Sequence, residues 1–446
     1  MPAATNPQQD GLRIAIVGAG ITGVNLALGL QARHISFTIY ERAPSFREIG
    51  AGIGFSPNAE RAMGLLNPAV VAAYKRVANP NGEDFFQWVD GFATDELMYK
   101  LHVGKDGFQG GRRSDILDEW AKLVPSESVK FSKEVNTVQD EDDGSLTIRF
   151  KDGASTNADV LIGCDGIRSR IRQLILPSSP AAAIPHYSSK FCYRALVPMP
   201  PAVAALGPHR AGTRFMYNGP DAHLITYPVG GNSVLNILVV LSDTQPWPDP
   251  HKHTAPGSKK EVVDAFAGWC PTVRRIVDLL PEEMDKWAIF DMAEHPASTY
   301  VKGRMCVAGD AAHATGPHLG AGGGMGVEDA LVLAAVLEAV ANDMAAGSGE
   351  KEKLRKSEMV EAALRAYNNV RYERTQAVVR ATRDAVDLFQ WQDGEVGSDA
   401  EKFGREITWR FKDIWEYDVE GMVKEAVAKS RGSDKKAIIN GQADWR

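Results

Sequence analysis

Leu12-Arg13-Ile14-Ala15-Ile16-Val17-Gly18-Ala19-Gly20-Ile21-Thr22-Gly23 decides the fold. Residues 12–17 are a short apolar run rich in β-branched side chains and read as a buried strand. Glycines at 18, 20 and 23 follow at once, and residues 24–31 continue with helical composition. Strand, glycine turn and helix in that order turn the free N–H groups of a helix N-terminus toward an anion, an arrangement suited to a pyrophosphate. Residues 36–40 form a second apolar strand ending at Glu41, close to the spacing of about 20 residues expected for an acid that accepts hydrogen bonds from ribose hydroxyls. Such a carboxylate would repel a 2′-phosphate, which favours FAD or NAD over NADP here. A tight turn without a ligand is the competing reading in a chain with 42 glycines; the flanking strand, the helix and Glu41 together argue against it.

Two further segments repeat the pattern of a strand running into a glycine turn. Residues 159–172 read as an apolar strand ending in Asp165-Gly166, followed by a helix start carrying Arg168, Arg170 and Arg172. Asp165 can bind hydroxyls or organise a dinucleotide, or it and Ser169 can cap the next helix. Residues 302–308 are another strand, leading into Gly309-Asp310-Ala311-Ala312-His313, then Pro317, Gly320, Gly322 and Gly324, then a helix from Met325 to Val340. That helix aims its positive end back at the turn, where it would stabilise negative charge on a reduced flavin ring. His313, a lone histidine among small residues, reads as structural.

The intervening sequence has a different period. Residues 85–102 and several short runs between 187 and 240 alternate in the manner of strands, separated by Gly, Pro and Asn, and predict an antiparallel sheet. The expected architecture is therefore α/β: a Rossmann-like, discontinuous dinucleotide-binding domain (12–84, 103–185 and 291–345) with an inserted antiparallel-sheet substrate domain (85–102 and 186–290). A flexible tail (1–11) precedes it, residues 50–54 are expected as a glycine-dense loop and 342–356 as a solvated linker, and 357–446 form a C-terminal helical segment.

A length of 446 residues exceeds what one hydrophobic core usually organises. Fifty Lys and Arg against 57 Asp and Glu, with no basic block, set a net charge of −7 and argue against nucleic-acid binding. No stretch has the length or apolarity of a signal peptide or membrane helix, so a cytoplasmic location without membrane attachment is expected. Cys164, Cys192, Cys270 and Cys306 form no C-x-x-C pair and read as reduced, buried thiols, with no metal site. Nothing in the sequence sets an oligomeric state.

The three glycine-turn segments, in this order and at these separations, resemble the flavoprotein aromatic hydroxylases. These are single-component FAD-dependent monooxygenases of the para-hydroxybenzoate and salicylate hydroxylase type. The similarity spans roughly residues 12–430: the family's DG signature matches 159–172 and its GD signature matches 309–330. Residues 46–52, 86–91, 186–191 and 222–229 look most like fungal enzymes that hydroxylate and dearomatise phenolic polyketides.

The resemblance implies roles position by position. Gly18, Gly20, Gly23 and Glu41 would hold the ADP half of FAD, and Arg113 would contact the cofactor. Asp165 would serve the pyrophosphate region and a transiently bound NAD(P)H, Asp310 the ribityl chain, and Pro317, Gly320, Gly322 and Gly324 the isoalloxazine. Arg194 and Tyr227 would position a small phenolic substrate for hydroxylation by dioxygen through a flavin hydroperoxide. Many family members carry Asn where this chain has Gly324. The competing readings are a decarboxylating hydroxylase of salicylate-like acids, a flavin oxidase making peroxide, and a flavin-fold binding protein without turnover.

Overall fold

The computed structural model describes residues 11–46, 52–104, 107–346 and 352–432. The expected tail (but for Gly11), residues 47–51 of the quoted 46–52 stretch and the end of the C-terminal segment lie outside these. A six-stranded sheet runs Val301–Lys302, Met305–Val307, Val160–Gly163, Ile14–Val17, Phe37–Tyr40, Val129–Lys130. Its central pairings are parallel, with Ile14–Val17 between Phe37–Tyr40 and Val160–Gly163. All four residues of the central strand are buried, as an apolar run without alternation requires when helices cover both faces.

Two helices complete this layer. Ile21–Ala32 and Gly322–Ala345 are apolar on nearly every side and buried over most of their length, as expected of helices inside a core. The C-terminal helices Glu352–Phe389 and Val419–Ser430 pack against Gly322–Ala345, and Ala400–Trp415 packs against the strand Leu97–His102 of the second sheet. Gly322–Ala345 and Glu352–Phe389 take up much of the stretch expected as linker, because its Ala, Glu and Lys residues favour helix.

The second sheet has eight strands in the order Thr254–Ser258, Glu283–Asp291, His186–Pro198, Val234–Ser242, Ala222–Val229, Phe215–Gly219, Phe85–Asp90, Leu97–His102. It is antiparallel except where Phe215–Gly219 runs parallel to Phe85–Asp90. One face packs on the helices Met199–Gly212, Lys259–Ala265 and Pro271–Asp278 through Tyr193, Tyr217, Leu224, Ile237 and Val239. Because side chains alternate, the other face carries Arg194, Tyr227, Asn236, Leu238 and Trp287.

Two small sheets depart from the sequence reading. Val135–Asp140, Leu146–Phe150 and Ser155–Ala158 form an antiparallel meander. Gly52–Phe55, expected as part of a loop, is a strand paired with Gln109–Arg112.

A buried ionic network fastens the helices to one another. Arg371 donates to Asp329 (2.7 Å) and Glu328 (2.5 Å), and all three are fully buried. Asn58 also donates to Glu328 (2.7 Å), and Arg374 reaches it at 3.3 Å. Asp329 further accepts from the Gly309 N–H (2.8 Å) and lies 2.6 Å from His313 Nε2. Four elements, beginning at Pro57, Asp310, Gly322 and Glu352, are thus held by one set of charges.

Candidate active site

The first glycine turn is shaped by close approach. Gly18 has φ +103°, and a Cβ there would lie 2.4 Å from the Cys164 carbonyl oxygen; a Cβ on Gly23 would lie 2.0 Å from the Gly18 carbonyl. Only hydrogen fits at either position. Gly20 is the N-cap of Ile21–Ala32 and offers no side-chain cap, so first-turn N–H groups face outward over the turn. Glu41 accepts from the N–H groups of Ala19 (2.8 Å) and Ala43 (2.7 Å), which pins its carboxylate at the mouth of this turn.

Of the other expected cofactor residues, Asp165 and Asp310 follow strands of the same sheet. Asp165 follows Val160–Gly163, but its oxygens are engaged by the next helix: it accepts from Ser169 Oγ (2.5 Å) and from the N–H groups of Arg170 (2.7 Å) and Ile171 (3.2 Å). Burial nonetheless leaves its pKa raised against these bonds. Asp310 is exposed at the start of a short helix, with one oxygen 4.0 Å from where a Cβ on Gly322 would stand. Gly322–Ala345 begins at Gly322 without a side-chain cap. Pro317 is exposed, Gly320 has φ +61°, and a Cβ on Gly324 would press on Ala59 at 3.0 Å. Arg113 opens the helix Arg113–Ala121 at the end of Gln109–Arg112. Two uncapped helix ends, a glycine cradle closed to any Cβ and a carboxylate at the second strand are chemically suited to FAD, whose pyrophosphate would want N–H donors and whose ribose would want an acceptor.

Arg194 and Tyr227 lie on the face of the eight-stranded sheet that turns toward these glycines. Tyr227 Oη would stand 2.5 Å from a Cβ on Gly52, so the tyrosine touches the strand Gly52–Phe55, whose Ile53 would meet a Cβ on Gly323 at 3.1 Å, at the start of Gly322–Ala345. Arg194 is exposed, stacks over the Trp287 ring at 5.1 Å, and pairs with no carboxylate among the described residues. Burial raises the Tyr227 pKa, while Arg214 and then Arg194 oppose the rise.

Several residues here were not singled out from sequence. Arg214 lies fully inside, against Phe108 and Tyr227. His223 and His318 face each other with ring centroids 5.6 Å apart; alternation from Tyr227 along its strand would have flagged His223, and the turn from Pro317 would have flagged His318.

Two outcomes follow from this geometry. Glu41→Ala is expected to weaken FAD retention, measured as flavin per chain after gel filtration, since it removes a charged acceptor worth roughly 1.5–3 kcal/mol. His318 is held down to about 3 by burial and by Lys190 and Arg383. Its folded pKa lies below its unfolded one, so the unfolded chain binds the extra proton and stability falls as pH drops from about 6.5 toward 3. His318→Gln is expected to flatten that acid limb in urea titrations, by up to about 1.4 kcal/mol per pH unit.

No helix among the described residues is long and apolar enough to cross a membrane. Residues 12–381 match the family model described as FAD binding domain. The chain is 49% identical over 438 residues to the FAD-dependent monooxygenase pigN of Monascus ruber, covering 97% of this chain and 99% of that protein. It is 41% identical over 431 residues to the salicylate hydroxylase asL1 of Sarocladium schorii, covering 93% and 90%. Among solved structures, a salicylate hydroxylase in complex with substrate superposes with a TM-score of 0.82 at 30% identity, over 94% of this chain and 98% of that one. The chain belongs to the FAD-dependent monooxygenases of the salicylate hydroxylase type, with relatives in fungi.

Proposed function

We propose that the protein hydroxylates a phenolic ring with NAD(P)H as electron donor, and that its substrate is a resorcinol-type polyketide which loses aromaticity in the reaction. The observation that carries this reading is the placement of Tyr227 and Arg194 on one sheet face, with Tyr227 against Gly52 in a strand whose Ile53 packs at the glycine-rich start of Gly322–Ala345. Bound FAD, once reduced, supplies the activation of dioxygen for transfer to a ring carbon.

The chain's own residues do the rest. Arg194, free of any described carboxylate, favours the ionised phenol and so raises the electron density of the ring. Tyr227 donates to the same oxygen and fixes which ring carbon is presented. Trp287, Leu238 and Ile225 wall this face with apolar surface and keep water from the reacting centre. Gly18, Gly20, Gly23 and Glu41 hold the ADP half of the cofactor, and Arg113, Asp310, Pro317, Gly320, Gly322 and Gly324 line the remainder. Asp165 serves by fixing the loop over the pyrophosphate.

Decarboxylating hydroxylation of a salicylate-like acid is the second reading, supported by the similarity to salicylate hydroxylases. Side-by-side turnover of salicylate and 2,4-dihydroxy-3-methylbenzaldehyde, whose methylated ring carbon has no proton to lose once hydroxylated, with carbon dioxide release and product mass both followed, decides between them. A non-aromatic hydroxylated aldehyde product supports the first reading; a catechol with stoichiometric carbon dioxide overturns it.

A further inference from the structure

Among the described residues, no counter-charge accompanies the buried Arg214 guanidinium. It is 4% exposed. Its Nη1 is shielded from solvent and has no hydrogen-bond partner, and no carboxylate pairs with the side chain among the described residues. Aromatic faces surround it instead: Phe108 at 4.1 Å, Tyr227 at 5.2 Å and Phe86 at 5.4 Å from Cζ. Stacking of this kind suits a guanidinium's faces, but its N–H edges still need acceptors in the plane. Burial lowers its pKa to about 10, so the charge persists at neutral pH.

Its position in the sheet ties this charge to the candidate site. Phe215 pairs with Thr226, and one further step in the same register sets Arg214 opposite Tyr227. Across the intervening strand Val234–Ser242, Arg194 is in register with Leu238 and Ile225, two residues along the same face from Tyr227. Among the described residues, the remaining titratable group against Arg214 is Tyr74, whose hydroxyl is committed to the Gln109 carbonyl at 2.8 Å.

We propose that Arg214 is a positioning residue that acts through Tyr227: the tyrosine shares its sheet face with two arginines, one buried against its ring and one exposed, and donates to an anionic phenol oxygen whose charge compensates the buried guanidinium. The phenol's proton leaves to solvent on binding. An uncompensated buried charge costs stability, and the anion that offsets it is the one the ligand brings. This rests on the reading of the substrate as a phenol.

The test uses FAD-loaded protein and 2,4-dihydroxybenzaldehyde, whose ionisation is followed by ultraviolet difference spectra across pH. The wild type should lower the pKa of the bound probe by at least about one unit, a tenfold preference for the anion. Arg214→Met should lose part of that shift and melt at or above the wild-type temperature, Arg214→Lys should lose less of it, and Arg214→Met should add little when Tyr227→Phe is already present. An unchanged probe pKa in Arg214→Met and Arg214→Lys, a melting temperature well below wild type in Arg214→Met, or full additivity with Tyr227→Phe would each overturn the proposal while leaving the phenol reading intact. A wild type that shifts the probe's pKa not at all contradicts the phenol reading itself.

Discussion

Arg194→Gln is expected to abolish oxygenated product while FAD stays bound and the protein stays folded. The side chain is exposed and pairs with no carboxylate among the described residues, so the fold loses only its stacking on Trp287. What disappears is the cation nearest solvent on the substrate face. An opposite charge within about 4–6 Å lowers an acid's pKa by about 1–3 units, so a phenol held without it stays protonated at neutral pH and is a poor nucleophile. NAD(P)H oxidation should slow or divert to peroxide, seen by measuring product and peroxide together against cofactor consumed. Tyr227→Phe should keep partial activity with poorer coupling. Normal product at normal rates from Arg194→Gln across neutral pH would show that the substrate is activated elsewhere.

Arg371→Met should be the most destabilising of the substitutions considered, by about 3–5 kcal/mol, because it strands two fully buried carboxylates. Burial would raise the Glu328 carboxyl, but Arg371 and Arg374 outweigh it and hold its pKa below the usual range; His313 and Arg371 do the same for Asp329. With folded pKa values below unfolded ones, the network's contribution is present above the ordinary carboxylate range and is lost as pH falls through the folded values. The deficit of Arg371→Met should therefore be largest near neutrality and shrink in acid, as urea midpoints at pH 7 and pH 4 would show. An equal deficit at both pH values would mean that the loss comes from packing and not from charge.

Sequence alone exposed most of the fold class because its signals are local. Residues 12–23 carry strand, turn and helix within a dozen positions, and the alternating runs between 187 and 240 belong to strands of the second sheet. Gly52–Phe55 was harder: a strand with glycine at alternate positions has little propensity of its own and forms because it pairs with Gln109–Arg112, itself glycine-bearing and remote in sequence. The meander from Val135 to Ala158 was missed because its first strand shows mostly polar, solvent-facing residues.

The site was legible to a different degree. The glycines and Glu41 announce themselves through spacing, and the structure brings them together at the ends of adjacent strands. Asp165 could equally be ligand or cap from sequence, and its described bonds are all to the helix it precedes and to Ser169. Arg214 gave no local signal, since an arginine at the head of a strand reads as surface. Only the pairing of Phe215 with Thr226 turns it inward beside Tyr227. His313 was read as structural, and its contact is with Asp329 inside the buried network.

The most direct test is a turnover under isotopically labelled dioxygen, with NADH or NADPH and a panel of resorcinol-type aldehydes and salicylates, and products identified by mass. The account predicts a yellow protein that inserts one labelled oxygen atom into a phenolic substrate for each NAD(P)H consumed, with loss of aromatic absorbance for the preferred aldehyde. Cofactor oxidation yielding only peroxide, with no labelled product from any phenol in the panel, would contradict it.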